Sequence, residues 1–407
     1  MITKEDILNK IAENWEFCVR ECHEDTDTST SLPYPFTVPC MKNSFQNLYY
    51  WDTYFTNRGL LKTGREELAK NNILNFIYEI DRFGFIPNGN HPDMLNRSQP
   101  PYFAMMVMDY LKQYPEEELM REGFRAIQKE YAFWMSKRAF LGANRFYHHE
   151  DKRENVLGFA YAIAGRLQMD LSDCAEEAVY AYGKHWLAEA ESGWDFNPRF
   201  LGRCADFAPV DLNCQLYQYE VILAQLAARL GEHTEVWQDK AEKRRQWIQE
   251  HMWDEEKGFF FDYDLVNEKR SPVGATAGFM ALWCGVATDE QADRMVEYLP
   301  NLEFNAALSV CARIEGEERY QWAFPSAWPP CQNYVVHGLL KYFHKKEALA
   351  IAEKYVDMVT RVYNETGDLW EKYHAEDGSV VKGQEYETPR MMGWTAGTFV
   401  DFMSLLD

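Results

Sequence analysis

The chain has 407 residues, 46% of them apolar and 15% aromatic, and its 13 Trp, 24 Tyr and 25 Phe supply a large core with rings to spare. A formal charge of −22 opposes the counterion release behind nucleic-acid binding and the attraction to anionic membranes, so both partners are set aside. No stretch approaches the roughly 18 to 20 uninterrupted apolar residues of a membrane span, and the polar segment from Met1 to Lys10 is no secretory leader, so a cytoplasmic protein is expected.

In chain order, Thr3 and Asp6 have the reciprocal spacing of a helix N-terminus, and residues 1–25 read as an appended helix. Ala69, Ile73, Phe76, Ile77 and Ile80 recur on one helical face, and Pro100 and Pro101 read as the start of a helix continuing through Tyr110. Leu212, Leu216, Tyr219, Leu223, Leu226 and Leu230 form a second stripe, and Leu349, Ala352, Val356, Val359 and Tyr363 a third. Thr288 and Gln291 repeat the capping spacing. Phe259 to Tyr263 and Leu369 to Tyr373 are the strand candidates, read as small hairpins. The periodicity gives on the order of twelve helical segments with no linker to divide them. The expectation is one all-α domain over residues 1–407. Helices paired in a ring, an (α/α)6 toroid, would gather their loops around a central mouth.

The nine cysteines are scattered, and only Cys18 and Cys22 lie close together, so reduced thiols are expected, with no structural metal and no cofactor. His148 and His149 read as a surface loop.

Five loop-like stretches concentrate Trp, Asp, Arg, Gln and Glu, a composition that suits sugars. Rings stack on the sugar, and forked polar groups bind its hydroxyls. Hydrolysing a glycoside needs one carboxylic acid to protonate the leaving oxygen and a second carboxylate to activate water. Asp195 after Trp194 and Glu371 after Trp370 are candidates, because an aromatic neighbour desolvates a carboxyl. Each also reads as an ordinary loop or cap acid. Asp52, beside Trp51, is either a helix cap or a ligand for a sugar hydroxyl. Arg97 and Gln99 belong either to a helix-entry loop or to a binding site, and Trp322, Phe324 and Trp328 either to the core or to a wall.

Taken together these segments resemble the trehalases, glycoside hydrolase family 37, in a clan of inverting (α/α)6 enzymes that also includes family 63. The matching stretches are Tyr49-Tyr-Trp-Asp-Thr-Tyr-Phe55, Ile86-Pro-Asn-Gly-Asn90, Arg97-Ser-Gln-Pro-Pro101, Glu191-Ser-Gly-Trp-Asp-Phe196, Pro209-Val-Asp-Leu-Asn213, Tyr320-Gln-Trp through Trp328-Pro, Glu371-Lys-Tyr373, and Glu385-Tyr386 with Gly393-Trp-Thr395. The resemblance implies Asp195 as general acid and Glu371 as general base. It carries sugar-binding roles to Trp51, Asp52, Asn88, Arg97, Gln99 and Trp322, and to Glu385; Trp194, Trp328 and Trp370 complete the candidate aromatic wall. The implied substrate is a small carbohydrate, α,α-trehalose or a closely related α-glucoside; oligomeric state is left open.

Three positions depart from the trehalase pattern. Lys42-Asn-Ser-Phe45 stands where Gly-Gly-Arg-Phe is usual, Asn47 occupies an acid position, and Ala323 replaces Asp after Gln321-Trp322. No clear Arg-Pro-Glu segment is present, although Arg153-Glu154 lies in that region. These changes touch groups that hold the leaving sugar and open a rival reading, a family-63-like hydrolase of glucosylglycerate, mannosylglycerate or another short α-glycoside. An anionic aglycone would call on basic residues such as Lys42, Arg145 and Arg153. A sugar epimerase would need paired catalytic His, and a non-catalytic sugar-binding protein would not need both acids.

Overall fold

The computed structural model describes residues 2–407. In chain order the helices are α1 (Lys4–Asn14), α2 (Tyr50–Lys62), α3 (Glu66–Phe83), α4 (Phe103–Gln113), α5 (Glu117–Lys137), α6 (Arg153–Arg166) and α7 (Glu176–Ser192). They continue with α8 (Val210–Leu230), α9 (Glu235–Met252), α10 (Met280–Cys284), α11 (Asp289–Tyr298), α12 (Pro329–Lys341), α13 (Lys345–Thr366) and α14 (Gly393–Leu406).

The apolar stripes place these helices. Leu212, Leu216, Tyr219, Leu223 and Leu226 of α8 are fully buried, and the helix ends at Gly231, whose φ of 74° a residue with a Cβ adopts only with strain. Both capping boxes form, Thr3 with Asp6 and Thr288 with Gln291. Neighbour relations close a ring of six inner helices in the order α2, α4, α8, α10, α12, α14 and back to α2. Around it α3 lies against α2 and α4, α5 against α4 and α8, α9 against α8, and α13 against α12 and α14. The N-terminal α1 packs on α13 and α14, and α11 lies over the strand Phe259–Phe260. The result is a helical toroid.

The ring closes where α14 meets α2. A Cβ on Gly397 would fall 2.0 Å from the Phe55 carbonyl oxygen, and one on Gly59 would fall 2.8 Å from the Gly397 Cα, so only glycines permit this approach. The pair α6–α7 stands outside the six-plus-six pattern. It has a small core of its own, built on Ala160, Ile163, Val179 and Trp186.

Strands are two residues long. Phe259–Phe260 pairs back onto Trp253–Asp254, whereas Tyr263–Asp264 pairs with Lys269–Arg270 and with Phe207–Ala208, so the expected single hairpin is two separate ladders. The second expected hairpin is a long-range pair. Tyr373–His374 joins Ser326–Ala327, because the fully buried Tyr373 is drawn to the barrel mouth and not to a sequence neighbour. Helix α4 begins at Phe103, two residues after the prolines, since Pro101 disfavours helical geometry at Pro100. Among the described residues no helix is long and apolar enough to cross a membrane.

Candidate active site

The N-terminal ends of the inner helices meet at one end of the barrel. Trp51 and Asp52 lie in the first turn of α2, Trp328 is the N-cap of α12, and Trp394 lies in the first turn of α14. Their indoles pack together. Trp322 is stacked between Trp328 (3.8 Å between centroids) and Trp194 (5.2 Å), with Trp51 and Trp394 against the edges. All five are buried, so Trp194, Trp322 and Trp328 form a rigid floor under the loops.

Glu371 is anchored through its backbone. Its N–H donates to the Pro389 carbonyl (3.1 Å), and its carbonyl accepts from Trp394 Nε1 (3.0 Å). Its carboxylate accepts from the Lys372 ammonium (2.8 Å) and the Tyr386 hydroxyl (2.7 Å), and its side chain is 2% exposed. Lys372 is itself fully buried and reaches Gln321 Oε1 at 3.2 Å.

Asp195 comes from the turn after α7. Gly193 ends that helix at φ 73°, and a Cβ there would lie 2.9 Å from the Trp51 ring. Ser192 Oγ accepts from the Trp194 N–H, Asn197 Nδ2 donates to the Trp194 carbonyl, and the side-chain amide of Gln321 donates to the carbonyl of Asp195. The Asp195 side chain lies deep in the fold yet retains 32% exposure, as a carboxyl facing an opening does. Burial pushes its pKa up and Glu371 adds to the push, while Arg166 and Arg97 pull it down. Asp52 feels both acids. Burial raises it to about 8, with the charge of Glu371 and then of Asp195 contributing.

Arg166, the last residue of α6, places Nη2 3.6 Å from Asp195 Oδ2 and Nε 2.7 Å from Glu385 Oε2. Glu385 Oε1 accepts from the backbone N–H groups of Phe196 and Gln321, and burial moves its carboxyl up to about 7 against the pull of Arg166. Arg97 holds Asn96 Oδ1 at 2.8 Å, and its buried Nε has no partner among the described residues.

The other candidate residues are framework. Gln99 Oε1 accepts the Trp51 N–H at the start of α2, and Asn88 Nδ2 donates to the Ser98 and Ala190 carbonyls. Trp370 turns away from the acids, its indole donating to Thr366 Oγ1 and lining an outer cavity with Lys10, Lys42 and Ser44. His148 is buried and His149 half-buried, which corrects the surface-loop expectation. His148 stacks on Tyr147 and His149 meets Phe85 edge to face, and His149 Nε2 meets the Leu95 carbonyl at 2.6 Å beside the Arg138–Glu191 ion pair. Arg145 bonds the Ala205 carbonyl, and Arg153 pairs with Glu176 and Glu177 on the surface. Asn47 donates to the Thr28 carbonyl, Ser29 Oγ and the Asn90 carbonyl, and a carboxylate could serve neither of the two carbonyls.

Sequence reasoning missed Arg166, Lys372 and Tyr386. The last two lie inside the Glu-Lys-Tyr and Glu-Tyr segments and were within reach of the motif. Arg166 sits in a helix with no motif around it.

A family model described as trehalase matches residues 4–407. Neutral trehalase Nth1 from Saccharomyces cerevisiae is similar in structure, with 27% identity, a TM-score of 0.79, and coverage of 100% of this chain and 80% of that one. The family 63 mannosylglycerate hydrolase from Thermus thermophilus matches at a TM-score of 0.67 and 16% identity, covering 98% of this chain and 99% of that one. A rhamnosidase from Klebsiella oxytoca shares the fold at a TM-score of 0.58 and 12% identity, covering 98% and 63%.

Proposed function

The chain belongs to the trehalase family and is a trehalase-like glycoside hydrolase, and on that premise we propose that Asp195 and Glu371 hydrolyse α,α-trehalose or a closely related α-glucoside with inversion. The observation that carries the reading is the unequal setting of the two carboxyls at one barrel mouth. Burial shifts the Asp195 carboxyl toward its protonated form against the pull of Arg166, while Glu371 is fixed by an ammonium and a phenol.

In the proposed step Asp195 gives its proton to the glycosidic oxygen as the bond to the anomeric carbon breaks. Glu371 takes a proton from the water that attacks that carbon from the opposite face. The Arg166 guanidinium stabilises the Asp195 carboxylate that remains. Asp52, whose carboxyl burial raises to about 8, Glu385, raised to about 7, and the unpartnered Nε of Arg97 are suited to hydroxyl groups of the bound sugar. No cofactor enters these steps.

Ser44 and Ala323, at positions where trehalases hold the leaving sugar, favour one second reading, a short α-glycoside with a different aglycone. Proton NMR of the anomeric signals decides between them. Prompt release of α- and β-glucose in equal amounts from trehalose supports the first reading. Inertness toward trehalose together with turnover of glucosylglycerate or mannosylglycerate supports the second.

A further inference from the structure

Between the turn that carries Asp195 and the strand pair beside Glu371 runs one segment, residues 321–327. On the acid side the Trp322 N–H donates to the Phe196 carbonyl (3.1 Å), and on the base side Ser326–Ala327 pairs with Tyr373–His374. Gln321 opens the segment and is buried. Its N–H donates to Glu385 Oε1 (3.2 Å) and its carbonyl accepts from Trp328 Nε1 (2.9 Å), which fixes its backbone. Its side chain spans the two sides. Nε2 donates to the Asp195 carbonyl, and Oε1 accepts from the Lys372 ammonium at 3.2 Å. Lys372 in turn donates to Glu371 Oε2 at 2.8 Å. Three hydrogen bonds therefore lead from the main chain of the acid, through one amide and one ammonium, to the carboxylate of the base.

The chemistry of each link is specific. An amide donates at one end and accepts at the other, whereas a carboxylate at position 321 could not donate to the Asp195 carbonyl and an apolar side chain could do neither. Lys372 is fully buried, with its ammonium over the rings of Trp328 (4.8 Å) and Tyr386 (4.2 Å). Burying such an ion pair adds little net stability, because desolvation offsets the attraction. What the pair secures is geometry. Lys372 on Oε2 and the Tyr386 hydroxyl on Oε1 together fix the plane of the Glu371 carboxylate.

The charge of Glu371 also acts on Asp52, Asp195 and Cys40, groups that are negative when ionised, so the positive charge in contact with the base comes from Lys372. Resting on the assignment of Asp195 as acid and Glu371 as base, we propose that Gln321 and Lys372 are positioning residues that act as one unit and set the spacing between the proton donor and the carboxylate that activates water. Neither needs to touch the sugar. An acid and a base that act in one step from opposite faces depend on that spacing, and a displacement of about 1 Å costs on the order of 10²-fold in rate.

The test is steady-state kinetics of the full chain carrying Lys372→Met, Gln321→Met or both, with α-glucosyl fluoride and the disaccharide as substrates and urea unfolding alongside. Each single variant should lose roughly 10²-fold in kcat with KM within about twofold of the parent. The loss in K372M should be equal on both substrates, since both need the activated water, and the acid limb of its pH profile should move to higher pH. The double variant should lose no more than the worse single one, as two parts of one bridge do. Gln321→Met leaves every charge paired and carries the test by itself if K372M does not fold. The proposal falls if Q321M keeps the parental kcat, if the losses follow the unfolded fraction, if they multiply in the double variant, or if K372M recovers on the fluoride. Glu371→Gln separates this from the assignment beneath it. An active E371Q removes Glu371 as the base, whereas an inactive E371Q beside a fully active Q321M removes the bridge alone.

Discussion

One guanidinium joins two carboxyls from distant parts of the chain: Arg166 lies 3.6 Å from Asp195 and 2.7 Å from Glu385, at the tip of a helical pair that stands outside the barrel. Its removal takes positive charge from beside both acids, which disfavours their charged forms and raises their pKa. Arg166→Met is expected to lower kcat/KM by roughly 10²-fold or more, the scale of a lost charge-assisted contact in a transition state. The alkaline limb of its pH profile should move to higher pH. A profile that falls in amplitude without moving would mean that Arg166 holds the substrate and does not tune Asp195.

The assignment of acid and base separates by leaving group. Asp195→Asn should cost about 10²- to 10⁴-fold on a disaccharide, the range of a lost general acid. The same variant should recover most of its rate on α-glucosyl fluoride, whose leaving group needs no proton. Glu371→Gln should be inactive on both, because water activation is lost whatever departs. Steady-state rates on the two substrates check this, and recovery by Glu371→Gln in place of Asp195→Asn would exchange the roles.

The two proposed roles rest on segments whose order along the chain is distinctive. What the side chains touch was less legible. Trp370 and Trp194 read alike in sequence, each one residue before an acid, yet Trp194 joins the indole floor and Trp370 faces an outer cavity. That difference follows from local backbone. Trp194 leaves a left-handed glycine turn, whereas Trp370 lies in an extended pairing with Arg390 that sends successive side chains to opposite faces. The helical stripes of α3, α8 and α13 were readable because burial repeats at the helical period. The Tyr373–Ala327 pairing was not, because its partner lies far away in sequence.

Asp52 makes stability depend on pH in a predictable direction. Its folded pKa of about 8 lies above the ordinary carboxylate range, so between pH ~4 and ~8 the folded protein holds a proton that the unfolded chain has released. Stability therefore falls as pH rises through that window, by about 1.4 kcal/mol per pH unit for a fully shifted group. Thermal melts should show a falling Tm from pH 5 to pH 8, less steep in Asp52→Asn. A parallel slope in the variant would assign the effect to other raised carboxyls such as Glu130 and Glu385, each raised to about 7.

Closure of the ring sets the last prediction. At Gly397 an added methyl would sit 2.0 Å from the Phe55 carbonyl oxygen, an overlap with rigid backbone that no rotamer change relieves. Gly397→Ala must push α14 from α2 or distort one of them, and overpacking of this kind costs roughly 1–3 kcal/mol or more. The two helices also carry the mouth. The first turn of α2 holds Asp52, and Trp394 in the first turn of α14 holds the Glu371 carbonyl. A variant that stays folded at low temperature should therefore lose activity out of proportion to its unfolded fraction. Urea unfolding read beside initial rates separates the two effects. If activity follows the folded fraction alone, the α2–α14 contact supports the barrel without setting the position of the acids.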